Sequence, residues 1–350
     1  MTVRTRDSRF EALRVVAMIA ITLNHTPISD ASLEMNAFAH AFFYAGGQFG
    51  VNLFVLIGAW FLVDQRFKSI RVVRLVFEMF FYSLLLDLIC LLMGNHFTVR
   101  MFLHSFSYWF CFGYAAMIII GPFLTKLPIR IRIVLTLISA GVSVIATIIG
   151  IFAPNSIFSK LFVKGLFIGP YWFCSVFLFV SVSKTFINRV QISRVSLSLV
   201  FLITYLTMFV AIYHYGCTVL REVHSPICFI AALSIFELIR RRKPFTNVVI
   251  NNIAKITFGA YLFQSHQILK VLYWDGLMRF TEVSECSMLY SFEALINVTI
   301  VFCLTMIIEA IRTRLFEAFK IDTIAESITQ SLDCIYGQVF DRWCKTVALI

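Results

Sequence analysis

FFYAGGQFGVNLFVLIGAWFLV, residues 42–63, is the stretch whose reading decides the fold. It contains no Asp, Glu, Lys or Arg. At ~1.5 Å per residue, a helix of this length crosses the ~30 Å hydrocarbon layer of a bilayer. Outward from it lie nine other ranges of similar character: 11–28, 72–93, 104–125, 133–152, 166–183, 196–215, 223–239, 252–272 and 291–311. Across all 350 residues the composition is 60% hydrophobic, 16% aromatic and only 14% charged. A soluble domain carries ~25% charged residues, so a soluble fold of this composition would expose far too much apolar surface. The expectation is an all-α fold, a polytopic transmembrane helix bundle of about ten spans.

The loops predict which side is which. With the N-terminus in the cytoplasm, the inner loops hold Arg4, Arg6, Arg9, Arg66, Lys68, Arg71, Arg74, Lys126, Arg130 and Arg132. They go on to Lys184, Arg189, Arg194, Arg240, Arg241, Arg242, Lys243, Lys255, Arg312, Arg314 and Lys320, 21 basic residues in all. The outer loops hold six: Arg100, Lys160, Lys164, Arg221, Lys270 and Arg279. Short loops rich in Lys and Arg stay in the cytoplasm, so both termini are predicted inside. Residues 1–314 read as one transmembrane domain and 315–350 as a cytoplasmic tail. In that tail Ile321, Ile324, Ile328, Leu332, Ile335, Val339 and Trp343 recur at three- or four-residue steps. This predicts an amphipathic helix, lying on the membrane face or packed against the inner loops.

Several classes drop out. The net charge of +11 invites a nucleic-acid partner, but the charges sit in short loops between spans, which makes the lipid bilayer the expected partner. The nine cysteines are scattered, many inside apolar runs (Cys90, Cys111, Cys174, Cys228, Cys303), without a Cys-x-x-Cys pair. They read as small buried hydrophobes, and no metal site is expected. The first apolar range carries His25, follows a basic tail and lacks a small-residue cleavage site, so no cleavable signal peptide is expected.

The candidate chemistry begins in that first range. Arg14 and His25 are 11 residues apart, close to three full turns at ~100° per residue, so both project from one face about 16 Å apart. An ionisable group at membrane depth is costly and marks a working site by default. His25, between Asn24 and Thr26, suits a general base in a polar cavity, or a polar core residue bonded to a neighbouring helix. Arg71 and Arg74 stand at the cytoplasmic start of the third range. They read either as positive-inside flanking or, with Arg14, as guanidinium groups gathered around phosphate oxygens. An extended pantetheine arm is on the order of the ~16 Å between Arg14 and His25. Coenzyme A held at its phosphates by the arginines would then bring its thioester to the histidine.

These residues carry a resemblance. Arg14-x10-His25, Phe49-Gly50-Val51-Asn52-Leu53-Phe54-Val55-Leu56-Ile57-Gly58 and Arg71-x-x-Arg74 resemble the opening motifs of acyltransferase family 3. That family comprises integral-membrane O-acyltransferases of bacterial surface and exported polysaccharides. Tyr108-Trp109-Phe110, Tyr114 and Gly121-Pro122-Phe123 resemble its aromatic fourth helix. Ser225-Pro226, Ala231-Ala232-Leu233-Ser234-Ile235-Phe236 and Phe258-Gly259-Ala260-Tyr261-Leu262 resemble its last third. The similarity covers about residues 9–310. It implies that His25 is the essential histidine, Arg14 its paired arginine, and Arg71 and Arg74 the pair associated with the acyl donor. Two departures stand out: Ile57-Gly58 replaces the family's Ser-Gly, and Gln264 replaces the histidine of its Tyr-Leu-Ile-His ending, with His266 two residues on.

The expected activity is transfer of an acyl group, acetyl for preference, from cytoplasmic acetyl-coenzyme A to a hydroxyl of a surface or exported glycan. The expected location is the bacterial cytoplasmic membrane. The coenzyme is a co-substrate, and no permanent cofactor is expected. Asn24, Asn52, Tyr108 and Trp109 are the further cavity or oxyanion candidates. Glu78, Asp87, Glu237 and Glu309 are possible orienting partners for His25, and the sequence does not choose among them. Two other readings stay open: a transporter or flippase of lipid-linked sugars, and a non-catalytic scaffold of polysaccharide assembly. Matching Gly/Pro-broken helices in two halves, the usual mark of a transporter repeat, are absent from the sequence.

Overall fold

Asp7 starts the first helix. Its carboxylate accepts a hydrogen bond from the Arg9 backbone N–H at 3.1 Å, capping one of the amides that a helix start leaves without a partner. The Arg9 guanidinium beside it holds the Asp7 carboxyl below the ordinary carboxylate range, with the backbone bond acting in the same direction. In the computed structural model, residues 6–26, 30–94, 108–157, 168–186, 192–266 and 287–347 are described. Among them every regular element is helical: α1 Ser8–His25, α2 Asp30–Leu62, α3 Ser69–Leu92, α4 Trp109–Lys126, α5 Ile129–Phe152, α6 Ile168–Phe186, α7 Arg194–Tyr215, α8 Pro226–Arg240, α9 Val248–Lys255, α10 Thr257–Ser265, α11 Ser287–Ala318 and α12 Ile321–Val347.

Seven stretches among the described residues are long and apolar enough to cross a membrane: Asn36–Leu62, Ser69–Leu92, Trp109–Lys126, Ile129–Phe152, Arg194–Tyr215, Val219–Arg240 and Leu289–Ala318. They give the chain the character of a multi-pass membrane protein. Three of the ten expected ranges have another form. α1 carries Arg9, Glu11 and Arg14 in its 18 residues. α6 is a 19-residue helix that opens on Ile-Gly-Pro-Tyr-Trp and closes on Lys-Thr-Phe. The range 252–272 is broken at Ile256 into α9 and α10, and its end from 267 lies outside the described residues. Arg4, Arg100, Lys160, Lys164, Arg189, Lys270 and Arg279, all counted for sidedness, also lie outside them.

The chain divides into two units. The first is Met1–Phe54, Tyr82–Ser107 and Ile192–Glu309; the second is Val55–Phe81, Tyr108–Gln191 and Ala310–Ile350. In the first, the start of α1 is tied to the segment between α8 and α10. The Ser8 amide donates to the Phe245 carbonyl at 2.9 Å, and the Ser8 hydroxyl to Asn251 Oδ1 at 2.8 Å. Farther along, α1 presses directly on α2. A Cβ built on Gly50 would lie 2.5 Å from the Ala17 carbonyl oxygen, so only glycine fits. Small residues at such crossings let helix backbones approach in a medium where lipid tails offer no hydrophobic drive for association. α7 ends on Gly216, at φ 60°, where the left-handed conformation closes the helix at no Cβ cost.

In the second unit, aromatic side chains fill the space over glycines. Phe173 lies over Gly113 and Phe177 over Gly121, so α4 and α6 meet closely, and both phenylalanines are fully buried. Here α12 has two faces. Tyr336 stacks on Phe67 with centroids 3.6 Å apart, Phe123 meets Tyr336, Phe340 and Trp343, and the Ser69 amide donates to Asp333 at 2.8 Å. Opposite these contacts, Ile324, Ile328, Leu332, Ile335 and Val339 are exposed. The tail helix is thus packed against its unit and also keeps an apolar row uncovered. α11 runs on to Ala318 before α12 begins at Ile321. The turn comes at Lys320, whose φ of 51° breaks the helix.

Candidate functional site

α1 is unbroken from Ser8 to His25, so Arg14 and His25 do share a face, about 16 Å apart along the axis. His25 is its last residue and is half-buried. Its neighbours in sequence are fixed by packing. Asn24 lies over Gly47, where a Cβ would meet the Asn24 amide carbon at 2.3 Å. The Oδ1 of Asn24 is buried and has no hydrogen-bond partner among the described residues. Thr26 is buried on the other side, its carbonyl accepting from the Tyr290 hydroxyl at 3.4 Å and its hydroxyl from Asn297 Nδ2 at 3.3 Å. The histidine therefore sits at a helix end clamped by α2 and α11 residues of the same unit, beside an amide oxygen still able to accept a hydrogen bond.

Arg14 has a partner of its own. Its Nη1 donates to both carboxylate oxygens of Glu11, at 2.9 and 3.0 Å, and the Glu11 side chain is 8% exposed. Spacing i, i+3 on a helix makes such a pair readable in advance. Nε and Nη2 remain for other ligands.

Asn52 is fully buried, and its amide donates to the Val223 carbonyl at 2.9 Å and toward Cys228 Sγ at 3.5 Å. It holds the chain that leads into α8.

The four carboxylates weighed for His25 are placed as follows. Asp87 faces His266, Oδ1 to Nε2 at 3.1 Å, with the histidine 1% and the aspartate 6% exposed. Glu309 accepts from the Tyr82 hydroxyl at 2.8 Å, and Gly259 sits against both, since a Cβ there would meet that hydroxyl at 2.2 Å. Glu237 is paired with Arg240 and Arg241. Glu78 lies in the second unit. The Asp87–His266 pair joins residues 179 apart in sequence. No spacing rule finds it; the one available signal was that each is an ionisable group inside an apolar range.

Arg71, Arg74, Tyr108 and Trp109 belong to the second unit. Arg71 is held by the Gln65 side chain. Arg74 pairs with Asp322 of α12 at 2.9 Å, both side chains more than half exposed. A cavity of about 320 Å³ opens beside this pair, lined by Arg74, Arg312, Glu78, Glu317 and Asp322 among others. Two guanidinium groups and three carboxylates make it a mixed lining rather than a purely basic cradle. Tyr108 precedes α4 and is 1% exposed, while Trp109 is 38% exposed with its ring edge-on to Phe173. Among the described residues no group of three or more His, Cys, Asp and Glu could hold a metal ion.

No family model, curated protein or solved structure matches the chain.

Proposed function

We propose that this chain is a multi-pass membrane O-acyltransferase, of the kind its motif order resembles, that esterifies a hydroxyl of a surface or exported glycan with an acyl group from coenzyme A. The observation that carries the reading is α1: one unbroken helix presenting an arginine and a half-buried histidine on one face, about 16 Å apart. That span matches the arm between the phosphates and the thioester of coenzyme A. Ten spans with both termini in the cytoplasm complete the proposal, with α1, α6 and the α9–α10 segment added to the seven apolar stretches. Arg14 is then at the cytoplasmic end, where the coenzyme arrives, and His25 toward the acceptor.

In the reaction, His25 takes the proton of the acceptor hydroxyl as its oxygen attacks the thioester carbonyl. The C–S bond breaks as the ester C–O bond is completed, and the imidazolium returns the proton to the leaving thiolate. Asn24 acts on the carbonyl oxygen in this proposal, its side-chain NH2 donating to the developing oxyanion. Arg71 and Arg74 carry a donor-phosphate role by the resemblance. The test is His25→Ala, measured as ester-linked acetate on the cell-surface glycan of a deletion strain and as acetyl-coenzyme A turnover by purified protein. Loss of both with normal membrane insertion is expected. Wild-type levels of ester would overturn the assignment.

One observation favours the transporter reading. Asp87 with His266, and Tyr82 with Glu309, are titratable or hydroxylic groups paired inside apolar helices, as in proton relays. Proteoliposomes separate the two readings: substrate-driven proton uptake that survives His25→Ala belongs to a transporter, and coenzyme-dependent ester formation to an acyltransferase.

A further inference from the structure

One arginine that acyl transfer does not use is enclosed in the first unit. Arg221 ends a single 3-10 turn, Val219–Arg221, and is 4% exposed. Its guanidinium carbon lies 3.5 Å from the centroid of the Tyr44 ring, and His40 stacks on the same tyrosine. Such stacking favours a cation but leaves the N–H groups of the guanidinium plane unspent. Its Nε is fully buried without a hydrogen-bond partner among the described residues. A buried N–H donor without an acceptor is costly, so the orphaned Nε calls for an explanation.

A second orphan lies four residues on. Ser225 stands at the N-cap of α8, is fully buried, and does not cap the helix with its side chain. Its Oγ also has no hydrogen-bond partner among the described residues. The segment between the two is held in shape from both ends. The Ser225 amide donates to the Glu222 carbonyl at 2.8 Å, and Asn52 donates to the Val223 carbonyl. Pro226 at the first position of α8 has no N–H, which leaves the amides of Ile227 and Cys228 as the first-turn donors. The 15-residue α8 directs the positive end of its dipole the same way. Guanidinium, hydroxyl and helix amides are all donors, and the ligand that satisfies such a set is an oxyanion.

We propose that Arg221, Ser225 and the first turn of α8 bind a single oxyanion, a carboxylate or phosphate group. The buried orphan donors at the start of α8 carry the proposal without the acyl-transfer reading. That the oxyanion belongs to an acidic glycan acceptor rests on the acyl-transfer reading; a lipid headgroup phosphate offers the same chemistry.

The experiment measures the melting midpoint of the full-length purified protein in detergent. Inorganic phosphate and glucuronate are titrated separately, against sodium chloride at equal ionic strength. A third arm compares nanodiscs of phosphatidylglycerol with detergent alone. A saturable rise above the chloride control is expected in at least one arm, and the responding arm assigns the source as phosphate, carboxylate or lipid. Arg221→Gln should abolish the rise. Arg221→Lys, which keeps the charge but loses the planar fork, should weaken it about tenfold or more. Ser225→Ala should weaken it several-fold, and it carries the test if the Arg221 variants do not fold. His25→Ala should keep the full rise while losing acyl transfer, which separates failure of this site from failure of the enzymatic reading. No rise in any arm, or a rise undiminished in both Arg221→Lys and Ser225→Ala, overturns the proposal.

Discussion

Replacing Gly50 by alanine should weaken the fold and disable the site together. The added Cβ would lie 2.5 Å from the Ala17 carbonyl oxygen and 2.9 Å from Ile21 Cγ1. The first of these is backbone and cannot rotate away, so relief requires α1 and α2 to separate by close to ~1 Å, the shortfall from ordinary contact. Overpacking of this kind costs about 1–3 kcal/mol, against which the helix-propensity gain of alanine returns about 0.5–1 kcal/mol. The net expectation is a loss of about 0–2.5 kcal/mol. Gly141 in α5 is the internal control: a Cβ there meets nothing within 4 Å. Gly141→Ala should therefore be neutral or stabilising by up to about 1 kcal/mol. Equilibrium unfolding in mixed micelles, followed by tryptophan fluorescence, compares the two variants directly. Because α1 carries Arg14 and His25, the ~1 Å displacement should also lower acetyl transfer by about 10²-fold, more than the stability loss explains. Gly50→Ala as stable as Gly141→Ala would refute the close α1–α2 contact.

Two other outcomes follow from charges at helix ends. Reporter tags placed at Lys126 and Lys243 should read as cytoplasmic and tags at Asn36 and Arg279 as extracytoplasmic, as the basic-loop asymmetry requires; a tag at Lys243 reached from outside would break the ten-span order. Asp322→Asn should free Arg74 and tighten coenzyme A binding several-fold by calorimetry on the purified protein, while Arg71→Lys with Arg74→Lys should recover only part of the affinity lost in the Gln pair. Equal affinity in all of these proteins would leave both arginines as topological anchors.

Length and apolar character marked the helices that the structure holds, because a spanning segment must satisfy its backbone internally and so is written as one continuous run. α2, α3, α4, α5, α7 and α11 fall where unbroken apolar runs put them. The break at Ile256 was not legible, since residues 252–266 contain neither proline nor a charge beyond Lys255 to mark it. The tail helix was readable from its apolar spacing, yet that spacing could not say what α12 packs on. Tyr336, Phe340 and Trp343 meet a partner far away in sequence, at Phe123. Nor could it reveal that Arg221, one of six basic residues assigned to the outer loops, is enclosed, because a loop charge and a buried charge look alike until the chain is folded.

The same distinction ranks the arginines proposed to bind phosphate. Arg14 and Arg74 already have a carboxylate each, and the two pairs differ in cost to open. Arg74 and Asp322 are exposed, 57% and 67% by side chain, and a solvent-exposed ion pair contributes little. A phosphate can take the guanidinium from Asp322 at small expense. Glu11 is 8% exposed, so removing Arg14 from it would leave a buried carboxylate uncompensated, the strongly unfavourable half of a broken pair. Arg14 therefore keeps Nη1 on Glu11 and has only Nε and Nη2 to offer, with a negative neighbour that opposes a polyanion. Under the proposed reaction those two donors are what Arg14 offers a coenzyme phosphate, while the buried Glu11 carboxylate holds the guanidinium in orientation. The Arg14–Glu11 pair is thus a fixed polar rung on α1, and the proposed arm from phosphate to thioester is measured from that rung, about 16 Å along the helix to His25.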